Sequence, residues 1–215
     1  MTPDILDDYI SAHIDPEPEN LHRLYRSTCL TSTYPRMCTD HLQGRFIKML
    51  TRMIRPSRVL ELGTFTGYSA LCFAEGMADD GEVVTIEVND EMEDIIRESL
   101  ANSDVGHKVR LIIGDAFDAL KTVEGDFDIA FIDANKRDYV DYYRHVKPRV
   151  RRGGFIIADN TLWSGKVVEP DENADAQSRG IAAFNDFVAA DPDVEKVILP
   201  FADGMTIAWV KEDCL

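Results

Sequence analysis

Apolar and polar positions change period near residue 57. Before it the spacing is helical: Ile5, Leu6, Tyr9 and Ile10 within 3–13, then Leu21, Leu24 and Tyr25 within 17–34, with Pro16 and Pro18 as breaks. Residues 39–54 predict a third amphipathic helix, with Leu42, Phe46, Leu50 and Met53 on one face. From Arg58 onward short apolar runs alternate with helical segments. Strands are expected at 59–62, 83–87, 109–113, 129–133 and 155–158, and helices near 67–77, 90–101, 116–122 and 136–148. Asp90 and Asp115 are candidate N-caps. A last helix, about 176–190, leads to strands at 196–199 and 205–210, with Asp203-Gly204 between them as a hairpin turn. This rhythm predicts an α/β fold, a doubly wound and mostly parallel sheet with helices on both faces. Residues 1–57 form a helical extension that could cap the active site or make an oligomer contact, and 58–215 form the sheet core. No linker, repeat or low-complexity segment interrupts them, so one domain is expected.

The rest is organised around Val59-Leu60-Glu61-Leu62-Gly63-Thr64-Phe65-Thr66-Gly67-Tyr68-Ser69-Ala70. A strand, a glycine turn and a helix start let backbone approach a ligand closely. The spacing is Gly-x-x-x-Gly, not the Gly-x-Gly-x-x-Gly of dinucleotide folds. Glu61 stands on the strand, where a phosphate binder would rarely put a carboxylate. Glu87 ends the next strand, where it can accept from ribose hydroxyls. Alone, the glycines leave a generic nucleotide pocket or a packed turn equally open. With both carboxylates they point to S-adenosylmethionine, which carries a sulfonium, an ammonium and a ribose.

The net charge of −16 argues against nucleic acid, whose phosphates need a basic face. No apolar run is long enough to cross a bilayer, and the acidic N-terminus lacks the features of a signal peptide, so a cytoplasmic protein without a membrane partner is expected. Cys29, Cys38, Cys72 and Cys214 form no Cys-x-x-Cys pair; reduced structural thiols are expected, and zinc is not.

Ligands of an open parallel sheet bind at the carboxyl ends of its strands. Asp133 closes one apolar run there, and Asp159 with Asn160 closes another. Two carboxylates and an amide offer only hard oxygen donors, which suit Mg²⁺ first, and Ca²⁺ or Mn²⁺ after it. Asp159-Asn160 alone reads more simply as a turn; paired with Asp133 it reads as a metal site. Lys136 alone reads as a solvated lysine at a helix start. Beside a divalent cation its ammonium form is disfavoured, and it could take a proton from a bound hydroxyl. Trp163, on the loop after the Asp-Asn pair, is a candidate for stacking a flat substrate, with core packing as the alternative. The five histidines are scattered and receive no role.

As a set, the organising stretch, Thr85-Ile86-Glu87, Ile113-Gly114-Asp115-Ala116, Phe131-Ile132-Asp133-Ala134-Asn135-Lys136-Arg137, Ala158-Asp159-Asn160-Thr161-Leu162-Trp163-Ser164-Gly165 and Asp203-Gly204 resemble the cation-dependent class I O-methyltransferases of the caffeoyl-CoA and catechol type. The resemblance runs from about Met37 to Val210. It implies a Rossmann-like, seven-stranded sheet with its last strand antiparallel. It implies that Glu61, Gly63, Thr64 and Ser69 hold the methionine part of the cofactor, that Glu87 takes the ribose and that Ala116 lies beside the adenine. Met37 and Thr39 match positions that close over the cofactor, and Asp133 borders it. Asp133, Asp159 and Asn160 match the metal ligands, and Lys136 the catalytic lysine. A homodimer is implied as well. Many caffeoyl-CoA members have Asp where this chain has Asn135, which bears on substrate preference more than on catalysis. Catechol-type members place a carboxylate shortly before the final hairpin turn; Val197 stands there here, so that contact is not expected.

The function expected is metal-dependent methyl transfer from S-adenosylmethionine to one hydroxyl of a vicinal-diol aromatic of catechol, caffeoyl or flavonoid type. Two rivals stay open: an NAD-dependent dehydrogenase, against which Glu61 and the glycine spacing count, and a cofactor-binding protein without catalysis, against which the presence of Lys136 and all three metal ligands counts.

Overall fold

The structure, a computed structural model, describes residues 3–168 and 174–212. Helices α1 (Pro3–His13), α2 (Glu19–Thr31) and α3 (His41–Ile54) precede the sheet. Then follow β1 (Arg58–Leu62), α4 (Tyr68–Gly76), β2 (Glu82–Glu87), α5 (Glu93–Ala101), β3 (Val109–Ile113), α6 (Ala116–Thr122), β4 (Phe127–Ile132) and α7 (Tyr139–Val146). The chain ends with β5 (Val150–Asp159), α8 (Ala176–Ala190), β6 (Val194–Leu199) and β7 (Met205–Val210). The seven strands form one sheet in the order β3-β2-β1-β4-β5-β7-β6. Strands β1 to β5 are parallel, and β7 is antiparallel to both β5 and β6. Strand order reverses between β1 and β4, and a crevice opens outside the carboxyl ends at such a point.

Period-two alternation sorts the strand residues between the faces. Leu60, Leu62, Ile86, Ile132 and Ala158 pack with residues of α6, α7 and α8. Val59, Val83, Phe131 and Ile157 pack on the other face with residues of α2, α3 and α4. Glu61, Thr85, Glu87 and Asp159 stand two or four positions from Val59, Val83 and Ile157, so they share this second face. Three carboxylates therefore rise on the side covered by α3 and α4.

Several local expectations are corrected. The buried stripe of α3 is Gln43, Gly44, Ile47 and Thr51, whereas Met53 is 69% exposed. The helix is turned by about one residue from the expected face because Gly44 meets α4. A Cβ on Gly44 would lie 2.6 Å from Tyr68 Cε1, so the backbone itself makes the contact. The apolar residues Ile5, Leu6 and Tyr9 of α1 are exposed. Asp90 is not a cap: Asn89 caps a 3₁₀ turn, Asp90–Met92, by accepting from Glu91 N. Asp115 does cap α6, accepting from Phe117 N and Asp118 N. Strand β4 stops at Ile132, leaving Asp133 just beyond the sheet, and the expected helix over 136–148 opens instead with a 3₁₀ turn, Lys136–Asp138. Cys72 is buried, Cys38 half-buried and Cys29 exposed; Cys214 lies outside the described residues.

Candidate active site

Backbone packing sets the first half of the site. Gly63 follows β1 with φ +97°, and a Cβ there would lie 2.1 Å from Asp133 O. Only glycine lets the two strand ends meet this closely. Gly67, at φ +90°, turns the chain into α4. Glu61 pairs in register with Thr85 across the sheet, and its Oε2 accepts from Thr85 Oγ1 at 2.5 Å. Thr64 Oγ1 lies 2.5 Å from the same hydroxyl. Glu61 is fully buried, and its Oε1 has no partner. Burial pushes its carboxyl up to about 8; the nearby Ser69 and Thr85 hydroxyls oppose the rise, and the Asp133 and Glu87 charges add to it. An unpaired acceptor in a glycine-lined cradle fits a cationic donor group. Glu87 is held at both oxygens by backbone, Oε2 accepting from Phe65 N at 2.7 Å and Oε1 from Asn89 N at 2.9 Å.

The second half lies at the ends of β4 and β5. Lys136 Nζ donates to Asp133 Oδ1 at 2.6 Å and to Tyr139 OH at 2.7 Å. The buried Tyr139 phenol has Asp159 O (3.0 Å) and Ile132 O (3.2 Å) as acceptors for its single proton. Burial, with the Asp133 and Asp159 charges, holds that phenol well above its ordinary range, so it stays a donor. Asp159 Oδ2 accepts from Gln43 Nε2 at 2.7 Å, while Oδ1 is buried without a partner. Burial first, then the Asp133 charge, pushes the Asp159 carboxyl up to about 7, with Lys136 and Gln43 opposing. Asn160 follows at φ +57°, in the left-handed region that Asn tolerates. Two mutually repelling carboxylates, an unpaired buried oxygen and an adjacent amide are the donor set of a hard divalent cation. Among the described residues no group of three or more His, Cys, Asp or Glu is placed to hold a metal.

The O-methyltransferase family matches residues 9–211 of the chain. The chain belongs to that family. A caffeoyl-CoA O-methyltransferase of Petroselinum crispum is 35% identical over 205 residues, covering 89% of this chain and 83% of the relative. The solved O-methyltransferase TomG of Streptomyces achromogenes, involved in tomaymycin synthesis and in complex with SAM, superposes with a TM-score of 0.91 at 30% identity, covering 99% of this chain and 100% of that one. The SAH-bound methyltransferase PaMTH1 of Podospora anserina gives 0.90 at 30% identity, covering 98% and 96%.

Within this O-methyltransferase fold the sequence-expected residues fall into three groups. Glu61, Gly63 and Thr64 line the β1 end, with Ser69 in the first turn of α4, and Glu87 closes β2. Asp133, Lys136 and Asp159 come together across the ends of β4 and β5, and Asn160 directly follows Asp159. Ala116, buried at the start of α6, Thr39, buried before α3, and Met37, 61% exposed, are hydrogen-bonded through their side chains to none of these. Trp163 is half-buried at φ +47° in a 3₁₀ stretch, Trp163–Val168; its ring packs against the α6–α8 core and its Nε1 is buried without a partner. Ser164 N donates to Asp203 Oδ1, and Thr161 N to Gly204 O at 2.9 Å, so the hairpin turn fixes this loop. Asn135 caps the 3₁₀ turn that carries Lys136, and its Nδ2 donates to Asp138 Oδ2 at 2.7 Å. Sequence reasoning missed Gln43 and Tyr139. The signal for Gln43 was a polar residue heading the stripe Gln43, Ile47, Thr51 at spacing four.

Proposed function

We propose that this O-methyltransferase binds S-adenosylmethionine and a divalent cation and methylates one hydroxyl of a vicinal-diol aromatic of catechol, caffeoyl or flavonoid type. The observation that carries the reading is the unpaired, buried Asp159 Oδ1 beside Asp133 and Lys136, next to the Glu61 cradle. The names of the caffeoyl-CoA relative and of the SAM- and SAH-bound neighbours support it.

Glu61, with Gly63, Thr64 and Ser69, seats the cationic end of the cofactor, and Glu87 its ribose. Asp133, Asp159 and Asn160 hold the cation, Mg²⁺ first. When bound, the cofactor supplies the methyl group, and the cation lowers the pKa of the acceptor hydroxyl, near 10 for an ordinary phenol. Lys136 would act as the base in its neutral form: a cation held by Asp133 would disfavour the ammonium, and Nζ, once its extra proton has passed to solvent, has the lone pair to take the hydroxyl proton. Tyr139 keeps Nζ at the acceptor's side by bonding it at 2.7 Å. Burial of the donors excludes water, and most of the rate gain comes from positioning the two substrates.

The test is turnover of a catechol at saturating Mg²⁺ and cofactor by the native enzyme and by Lys136→Ala. The native enzyme is expected to methylate one hydroxyl. The variant is expected to lose about 10²–10⁴-fold in kcat with cofactor binding retained, and Lys136→Arg not to restore it. More than about a tenth of the rate in Lys136→Ala would overturn the base role. No methylation of any vicinal diol by the native enzyme would overturn the reading.

A further inference from the structure

We propose that Gln43 is a positioning residue for the cation corner: its side-chain amide decides which oxygen of Asp159 is left for the metal. The inference rests on the metal site argued above.

Gln43 comes from α3, far from β5 in sequence. Its backbone is fixed because Asp40 caps the helix by accepting from Gln43 N at 2.8 Å. The next residue, Gly44, presses α3 onto α4. The side chain is 6% exposed, and its Nε2 donates to Asp159 Oδ2 at 2.7 Å, in the short range of a charge-assisted bond. Asp159 is itself 4% exposed, and its other oxygen has no partner. One oxygen is thus tied to α3 and the other is free at the corner shared with Asp133 and Asn160.

The residue type argues for the role. A lysine or arginine here would hold the carboxylate more tightly but would repel a cation beside it. A methionine of the same length would leave both oxygens unpaired and the carboxylate free to turn about its last torsion. A neutral amide orients the ligand without opposing the metal charge. Partners that orient a ligand in this way are worth about 10- to 100-fold in metal affinity.

Mn²⁺ is the probe, added to the otherwise native full-length protein and followed by calorimetry and by its free-ion magnetic resonance signal. Gln43→Met is expected to weaken Mn²⁺ binding about 10- to 100-fold while S-adenosylhomocysteine affinity of the metal-free protein stays unchanged. A packing role alone would lower the metal-free melting temperature and leave Mn²⁺ affinity in place. Gln43→Lys keeps a donor for Asp159, and so carries the test if the Met variant fails to fold; it is expected to bind Mn²⁺ more weakly than the native chain. Unchanged Mn²⁺ affinity in a folded variant, Met or Lys, overturns this inference alone. No Mn²⁺ binding by the native protein overturns the metal reading, and this inference with it.

Discussion

Glu61 carries the strongest electrostatic tension in the cofactor half. Its ordinary value of 4.5 is pushed up to about 8, mainly by burial. Asp159 moves the same way, from 3.8 to about 7. The folded chain therefore holds protons that the unfolded chain has already released, and stability falls as pH rises through that window. The melting temperature of the ligand-free protein is expected to decline between about pH 5 and pH 8. Glu61→Gln keeps the shape and the Thr85 contact but removes the ionisation, so it is expected to flatten the decline and raise stability at the alkaline end. A Glu61→Gln profile parallel to the native one would contradict the burial argument. At this scale much was legible. Glu61, Glu87, Asp133 and Asp159 are carboxylates at or near the ends of apolar runs, where a charge stands out in the sequence. Gln43 and Tyr139 were not legible, because each reads as one more residue on an amphipathic helix until the partner strand is in place.

The elements act by where their backbones touch. Gly180 of α8 faces the 3₁₀ turn that carries Lys136, and a Cβ on it would lie 2.4 Å from Lys136 O and 2.8 Å from Arg137 Cα. In an isolated helix, alanine would be better than glycine by about 1 kcal/mol. Here the clash is with backbone, and overpacking of that kind costs about 1–3 kcal/mol. The larger effect decides the sign. Gly180→Ala is expected to lower stability, measured by urea unfolding, and to reduce kcat by shifting Lys136 while cofactor affinity holds. A more stable and fully active Gly180→Ala enzyme would show that the contact has no part in placing the lysine. Element positions were legible from α3 to β7 because the period switch and the turn residues agree. The buried face of α3 was not. Its stripe is set by Gly44 against Tyr68, and a glycine carries no weight in a pattern of apolar side chains. Nor could the exposure of Ile5, Leu6 and Tyr9 on α1 be read from a spacing that looks like any half-buried helix.

At the scale of the whole molecule, the order β3-β2-β1-β4-β5-β7-β6 brings the ends of β1, β2, β4 and β5 to one edge of the crevice. Alternation turns Glu61, Glu87 and Asp159 to the face of α3 and α4. The extension before β1 is tied to the sheet domain: Gln43 of α3 donates to Asp159 Oδ2, and Glu17, before α2, accepts from Tyr68 OH at 2.6 Å. In the ligand-free chain burial makes Glu61 and Asp159 hold protons, and Lys136 pairs with Asp133; under the proposed function cations take over that charge balance. The account stands or falls on that point. The direct measurement is mass-spectrometric detection of a deuterated methyl group passed from labelled S-adenosylmethionine to a catechol, by enzyme stripped with EDTA and by the same enzyme after Mg²⁺ is restored. The account predicts a single labelled methyl on one hydroxyl with Mg²⁺ and almost none without it. Equal labelling by the stripped and restored enzyme would contradict it.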